Sequence, residues 1–345
     1  MTKNKLLIIC SSLSVLLSGC KQVQKKIGIF LYNSNDTFIT ELNSYLTEKL
    51  KISYDYKVFD AQESQVSQNE QLLSVLREDY SCLLINTVDR LASSAIIEKC
   101  SAKNLPLIFF NREPLSEDIQ GKEDIYYVGT SASIAGEYQA EMAFDLFVKN
   151  KALDPVYDRN KDGRIQTVVI KGEKGHQDAE QRTKSSTNRL RDLLISALGD
   201  NGEDRLEILS VESADWMRSK GQNVMKNMYT EYGDKIELVL SNNDDMAVGA
   251  IDYLLGNEKY MEQISSKTRV FLPIFGVDAT DVGRGAIANG YLAGTVLNDA
   301  DGQASAISAL VDYELGNKDL SDFPYEFTDG NRIYIDERKL TKDTL

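Results

Sequence analysis

From Lys26 onward the chain alternates two hydrophobic patterns. Short β-branched and aromatic runs read as strands at Lys26–Tyr32, Tyr54–Phe59, Cys82–Val88, Pro106–Asn111 and Ile125–Gly129. Amphipathic stretches at about 36–50, 67–79 and 89–103, with the spacing of helices, separate the first four. A second series follows, with strands at about 166–171, 205–211, 236–241, 270–277 and 292–297 and helices at about 179–198, 216–232, 245–255 and 281–289. This rhythm implies right-handed βαβ units. The strands are nearly continuous apolar runs, as in Cys-Leu-Leu-Ile and Pro-Leu-Ile-Phe-Phe, which suits parallel strands covered on both faces. The expected fold is α/β: two doubly wound parallel-sheet lobes. No Pro/Gly-rich linker divides them, so a hinge of several strand crossings is expected.

In open α/β sheets ligands sit outside the carboxyl ends of the strands. Those exits here read Tyr32…Asp36, Asn86-Thr87-Val88-Asp89, Asn111-Arg112-Glu113, Gly172…His176…Asp178, Asn242-Asn243-Asp244-Asp245, Asp278 and Asn298-Asp299. One Asn or Asp at such a place is ordinary turn and cap chemistry. A series of them running through both halves implies a shared space between the sheets. Amides and carboxylates together suit a ligand covered in hydroxyls, because each hydroxyl can donate to a carboxylate and accept from an amide or guanidinium.

The beginning of the chain bears on compartment. Lys3 and Lys5 precede an apolar stretch from Leu6 to Leu17, and Leu17-Ser18-Gly19-Cys20 follows. That stretch is too short for a spanning helix and reads as the core of a signal peptide, residues 1–19. The small residues before Cys20 resemble a lipobox, which makes Cys20 the expected lipid attachment point and 20–25 a tether. The expected location is the cell envelope, outside the cytoplasm and anchored to the membrane. Without the leader, 37 basic residues face 53 acidic ones, a formal charge of −16. That balance disfavours nucleic acid and anionic lipid as ligands, since both require Lys or Arg to neutralise phosphate. Cys82 and Cys100, in apolar or helical stretches, read as buried thiols rather than a disulfide.

Three local motifs carry further chemistry. Asp158-Arg159-Asn160-Lys161-Asp162-Gly163-Arg164-Ile165-Gln166 has the first nine positions of a calcium loop, with oxygens at 1, 3, 5 and 9, the turn glycine at 6 and a backbone carbonyl at 7. Position 12 is Val169, so it is not an EF-hand, and a distant carboxylate is needed to complete the shell. His176, the only histidine, enters a helix on which Asp178 and Arg182 are i, i+4 neighbours. Trp216, the only tryptophan, and Phe38 stand at expected helix starts beside acids. Aromatics so placed are either core or a stacking surface for the apolar face of a pyranose.

In this order the motifs resemble the periplasmic galactose/glucose-binding proteins of bacterial sugar ABC transporters. The resemblance runs through Asp36-Thr37-Phe38, Ile85-Asn86-Thr87-Val88-Asp89, Asn111-Arg112-Glu113-Pro114, the Asp158–Gln166 loop, Gly175-His176 with Asp178 and Arg182, Asn242-Asn243-Asp244, Gly276-Val277-Asp278 and Leu297-Asn298-Asp299. It implies lobes of 26–131 plus 298–332 and 132–297 plus 333–345. It implies sugar contacts from Asp36, Asn111, His176, Asp178, Arg182, Asn243, Asp278 and Asn298, with Phe38 and Trp216 stacking on the ring. It also implies a structural calcium ion held by Asp158, Asn160, Asp162, the carbonyl of Arg164, Gln166 and, from a separate strand, Glu237. Arg112 stands where the family commonly has Lys, and the stretch from about 318 matches poorly.

The implied activity is hinged capture of glucose or galactose by a monomer that delivers it to an ABC permease, without enzymatic turnover. Asp36 is expected at O4, Arg182 and Asp278 on the O2 side, and His176 at O6. A lipoprotein that instead presents sugar to a chemoreceptor or sensor kinase could carry the same site. Glycoside hydrolysis by Asp178 and Asp278 is disfavoured, because acids matched by amides at every exit suit saturated hydrogen bonding rather than an acid and base of unequal pKa.

Overall fold

The computed structural model describes residues 24–199, 204–258, 272–316 and 323–345. The signal peptide, Cys20, part of the tether, and most of the Glu258–Lys267 segment that reads as an insertion lie outside them. Among the described residues no helix is long and apolar enough to cross a membrane.

The first sheet contains β1 (Lys26–Leu31), β2 (Asp55–Asp60), β3 (Cys82–Ile85), β4 (Leu107–Phe110) and β5 (Ile125–Gly129). Helices α1 (Thr37–Leu50), α2 (Gln65–Val75), α3 (Ser93–Ser101) and the short α4 (Ser116–Ile119) connect them. The chain then enters the second lobe through α5 (Ala132–Phe147) and a two-stranded hairpin, β6 (Val148–Lys149) and β7 (Ala152–Leu153). The second sheet takes β8 (Ile165–Lys171), β9 (Leu206–Ser213), β10 (Leu238–Ser241), β11 (Ile274–Phe275) and β12 (Gly294–Leu297). Its described helices are α6 (Gln177–Leu198), α7 (Arg218–Tyr232), α8 (Asp244–Leu255) and α9 (Asp281–Ala288). Finally α10 (Ala300–Glu314) returns to the first lobe, followed by β13 (Arg332–Tyr334) and β14 (Arg338–Thr341).

The strand orders are β13-β5-β4-β3-β1-β2 and β14-β12-β11-β10-β8-β9. Central strands β3, β4 and β10 are buried along their whole length, which is why β3 and β4 are uninterrupted apolar runs and β10 is apolar up to its last residue, Ser241. The edge strand β2 (Asp-Tyr-Lys-Val-Phe-Asp) is largely exposed, and its charges discourage pairing with another chain. In each lobe two apolar clusters are packed on opposite faces of the sheet. In the first lobe, Ile29, Leu42 and Leu310 occupy one side and Phe30, Ile97 and Phe109 the other. Cys82 and Cys100 are buried free thiols, and burial pushes both upward in pKa, which makes them inert.

The chain crosses between lobes at 130–131, 298–299 and 335–337, which joins them by three strands of backbone. Thr130 Oγ1 donates to Asn298 Oδ1 at 3.1 Å and ties two crossings together.

Several expectations change. Ile333 and Tyr334 pair with Val128 and Gly129, so they belong to the first lobe and a boundary after 332 would cut β13. The second sheet is not wholly parallel, because β14 runs antiparallel to β12 on the edge. Helices α5 and α10 do not figure among the sequence expectations; their interiors are rich in Ala and Gly, which blunts the amphipathic signal. The expected helix at 89–103 opens with a 3-10 turn, Arg90–Ala92, capped by Asp89. Trp216 does not open a helix: Asp215 and Trp216 adopt left-handed φ of 47° and 66°, and α7 begins at Arg218.

Candidate functional site

The strand exits of the two sheets face each other across a shared cavity. All ten residues expected at the ligand line it: Asp36, Phe38, Asn111, His176, Asp178, Arg182, Trp216, Asn243, Asp278 and Asn298. Tyr32, Ile39 and Arg112 line it as well. The lobes are closed over this space. Arg112 Nη2 reaches Glu173 Oε2 at 3.1 Å across the cleft, Gln177 Nε2 donates to Glu113 Oε2 at 3.2 Å, and the Asp281 amide donates to Glu41 Oε1 at 3.1 Å.

Each ligand-facing side chain is locked by its own element. Asp36 caps α1, its Oδ1 accepting from the Ile39 amide at 3.0 Å, and Oδ2 accepts from the Tyr32 hydroxyl at 2.5 Å. Asn111, with a left-handed φ of 60°, accepts from Asn86 Nδ2 at 3.1 Å, so its amide nitrogen remains available to the cavity. Asn243 caps α8 through the Met246 amide and donates to the carbonyl of Trp216 at 3.2 Å. Asn298 donates to Asp278 Oδ1 at 3.1 Å while its oxygen accepts from Gln303 and Thr130.

His176 caps α6 through its ring: Nδ1 accepts from the Asp178 amide at 3.1 Å. Burial, reinforced by Arg112, Arg182 and Arg90, holds the imidazole well below its usual pKa. It is therefore neutral at pH 7, with the proton on Nε2, and presents a donor. Burial also raises Asp178 and, more strongly, Asp278, with the Arg182 guanidinium opposing it in each case. Arg182 is only 4% exposed. It donates to the Asn242 carbonyl at 2.8 Å but stands 3.9 Å from Asp178 and 3.8 Å from Asp278, and its buried Nε has no partner among the described residues. A buried guanidinium so incompletely satisfied has donors to spare for ligand oxygens.

The indole of Trp216 sits edge-on to His176, with ring centres 5.3 Å apart, and lies beneath Arg182. Gly172 makes this possible, since a Cβ there would come within 2.2 Å of the ring. Phe38 is 5% exposed, belongs to the core around α1, and shows one face to the cavity. Both aromatics thus combine packing with a wall of the site.

Sequence reasoning missed Tyr32 as a site residue and treated Arg112 as a mere departure. The Arg112 guanidinium lies 3.7 Å over the Tyr32 ring, which joins the two into one wall. The only available signal was their position at strand exits.

The Asp158–Gln166 loop lies away from the cleft, at the start of β8. Glu237 Oε1 accepts from the Arg159 amide at 2.7 Å, so the distant carboxylate is beside the loop. Among the described residues no three acidic, His or Cys side chains are already gathered tightly enough to hold a metal on their own. Amide and carbonyl oxygens would have to contribute. Asp158 Oδ1 is buried without a partner, and Asp162 accepts from the amides of Asn160 and Gln166 at 3.0 and 2.7 Å. An oxygen-only donor set with an orphaned buried carboxylate oxygen fits a calcium ion.

A two-lobed α/β molecule with a polar, aromatic-walled cleft between sheet edges is a cleft-closing solute-binding protein. Residues 27–319 match the model of the periplasmic binding protein domain, and the chain belongs to that family. It is 34% identical over 288 residues to the D-galactose/methyl-galactoside binding periplasmic protein of Haemophilus influenzae, covering 83% of this chain and 80% of that protein. It is 22% identical to the ribose import binding protein of Escherichia coli, covering 86% of each. Among solved structures, an ABC transporter solute binding protein of Bacillus halodurans with bound myo-inositol superposes with a TM-score of 0.71 at 23% identity, over 93% of this chain and 95% of that one. A counterpart from Actinobacillus succinogenes with bound D-allose gives 0.73 at 16% identity, over 93% and 98%.

Proposed function

We propose that this protein captures a free hexose, D-glucose or D-galactose, between its lobes and delivers it to an ABC permease from a lipid anchor at Cys20. The reading rests on one observation: eight polar residues suited to hydroxyls and two aromatics suited to stacking, drawn from both lobes, line a single cavity. The relative named for D-galactose and methyl-galactoside supports it. So does the balance of the site, which offers carboxylates at Asp36, Asp178 and Asp278 and donors at Asn111, His176, Arg182 and Asn243.

Capture follows from the hinge. A sugar docks on one lobe, and closure brings the other lobe's groups onto its remaining hydroxyls. Closure is favoured only by the difference in interactions between open and closed states. The three cross-cleft contacts described above contribute part of that difference, and bonds to the sugar the rest. Calcium at Asp158, Asn160, Asp162, Arg164, Gln166 and Glu237 would brace the second lobe, without touching the cleft.

Calorimetric titration with glucose, galactose, ribose, xylose and myo-inositol tests the proposal. Tight binding of glucose or galactose, with pentoses and inositol at least 100-fold weaker, is expected. Preference for ribose or myo-inositol would sink the hexose assignment while leaving the fold untouched.

A further inference from the structure

Beneath Asp278, on the core side of the second sheet, lies a carboxylate that makes no contact with the cavity. Asp244 is fully buried at the start of α8. Its Oδ1 accepts from the Thr295 hydroxyl at 2.6 Å, and its Oδ2 accepts from the Thr280 amide at 3.0 Å and the Thr280 hydroxyl at 3.4 Å. The Thr295 hydroxyl oxygen in turn accepts from the Ala279 amide at 3.4 Å. Two glycines make room for the carboxylate. A Cβ at Gly276 would fall 2.1 Å from Oδ1, and one at Gly283 would fall 2.0 Å from Oδ2.

The residues so fastened follow Asp278 directly. Asp278 and Ala279 both have positive φ, 110° and 55°, which side-chain-bearing residues adopt only when their surroundings compel it. Upstream, the Asp278 amide is bound to the Val296 carbonyl at 2.8 Å. Downstream, the amides of Ala279 and Thr280 are secured through Asp244 alone or through Thr295 and Asp244. Arg284 Nε donates to the Ala279 carbonyl at 2.8 Å and Asn298 Nδ2 to the Asp278 carboxylate at 3.1 Å, so Asp244 is the acceptor for the amide side of a turn that sets the Asp278 carboxylate 3.8 Å from Arg182.

We infer that Asp244 is a positioning residue for ligand recognition: through Thr280 and Thr295 it holds the left-handed Asp278–Ala279 turn that keeps the Asp278 carboxylate in the cleft. This rests on the hexose-binding reading for its affinity readout, and on geometry alone for its second readout.

The test uses the mature chain, with D-galactose and D-glucose as probes. Asp244→Ala should weaken binding at least tenfold at a temperature well below its melting point, and Asp244→Asn, which keeps an acceptor oxygen, should retain most of the affinity. Adding Ala279→Gly to Asp244→Ala should restore the greater part of the loss, because glycine adopts positive φ freely. A defect of general packing would not respond to that glycine. Amide hydrogen exchange, measured without sugar, should speed up at least tenfold at Ala279 and Thr280 while Val239 and Leu240 in β10 stay protected. Should Asp244→Ala fail to fold, Thr295→Val removes the Ala279 arm together with the Thr295 bond to Asp244 Oδ1, leaves the two Thr280 bonds to Oδ2 in place, and is read in the same two ways. Unchanged exchange at these amides, or sugar affinity within twofold of the native protein in a folded Asp244→Ala, overturns the inference. If the native protein binds neither hexose, the hexose reading fails and the exchange result alone decides the role of Asp244.

Discussion

The Tyr32 hydroxyl donates to Asp36 Oδ2 at 2.5 Å, while Asp36 Oδ1 accepts from the Ile39 amide in the first turn of α1. The carboxylate at the mouth of the first strand is therefore held in one orientation from two sides before any ligand arrives. Burial and the neighbouring Asp36 charge push Tyr32 above its usual pKa, so the phenol stays protonated and remains a donor at every physiological pH.

Tyr32→Phe should consequently weaken hexose binding by about 10- to 100-fold, the range for losing a hydrogen bond to a charged group. The melting temperature of the sugar-free protein should shift far less than the affinity. Titration calorimetry beside a thermal melt checks this, and unaltered affinity would show that Asp36 does not depend on the phenol.

Trp216 is the only tryptophan of the chain, and it lines the cavity beside His176 and Arg182. Any sugar-dependent change in tryptophan fluorescence must come from it. Trp216→Phe should abolish that change and, by narrowing the stacking surface, reduce affinity about tenfold. A native protein that binds sugar with no change in emission would place the indole away from the ligand.

Calcium occupancy should be visible in stability rather than in sugar affinity, because the Asp158–Gln166 loop and Glu237 lie outside the cleft. Saturating calcium over chelator should raise the melting temperature by about 5 °C or more, as expected for a ligand at roughly 100 times its Kd. Glu237→Gln should lose most of that increment and still bind sugar. No calcium-dependent shift in the native protein would remove the metal assignment.

Glu337 lies in the third crossing between the lobes and is 6% exposed. Burial pushes its carboxyl up to about 7, opposed by Arg182. For an acid whose folded pKa exceeds its unfolded value, the stability present at low pH is lost as pH rises through the folded pKa. Replacing it by Gln should therefore stabilise the protein relative to the native chain by about 1–3 kcal/mol near pH 8. The advantage should shrink toward zero below about pH 4.5, the unfolded range. Denaturant melts of both proteins at several pH values give the comparison; a difference independent of pH would mean that the carboxyl does not titrate in this range.

Much of the molecule is legible in its sequence. Strands such as β3 and β4 declared themselves because parallel strands buried on both faces leave no polar positions. The run of Asn and Asp at the strand exits was legible because ligands sit at the carboxyl edge of an α/β sheet, whereas the particular ten residues, with Phe38, Arg182 and Trp216 among them, came from the family resemblance. Harder to read were α5 and α10, whose Ala- and Gly-rich faces carry little periodic contrast, and Tyr32, whose role depends on a partner four residues away and an arginine eighty residues on.

The order of strands and helices, the exits that carry recognition groups and the kinds of chemistry they offer are local properties, written in residue type and spacing, and the sequence by itself determined them. Which groups meet was decided only by the tertiary structure. The Arg112 guanidinium over the Tyr32 ring, the Glu173 partner across the cleft and the Asp244 carboxylate in its glycine cradle all join residues far apart in the chain. Such contacts depend on how two sheets pack and close, and no pattern along one strand or helix contains that information.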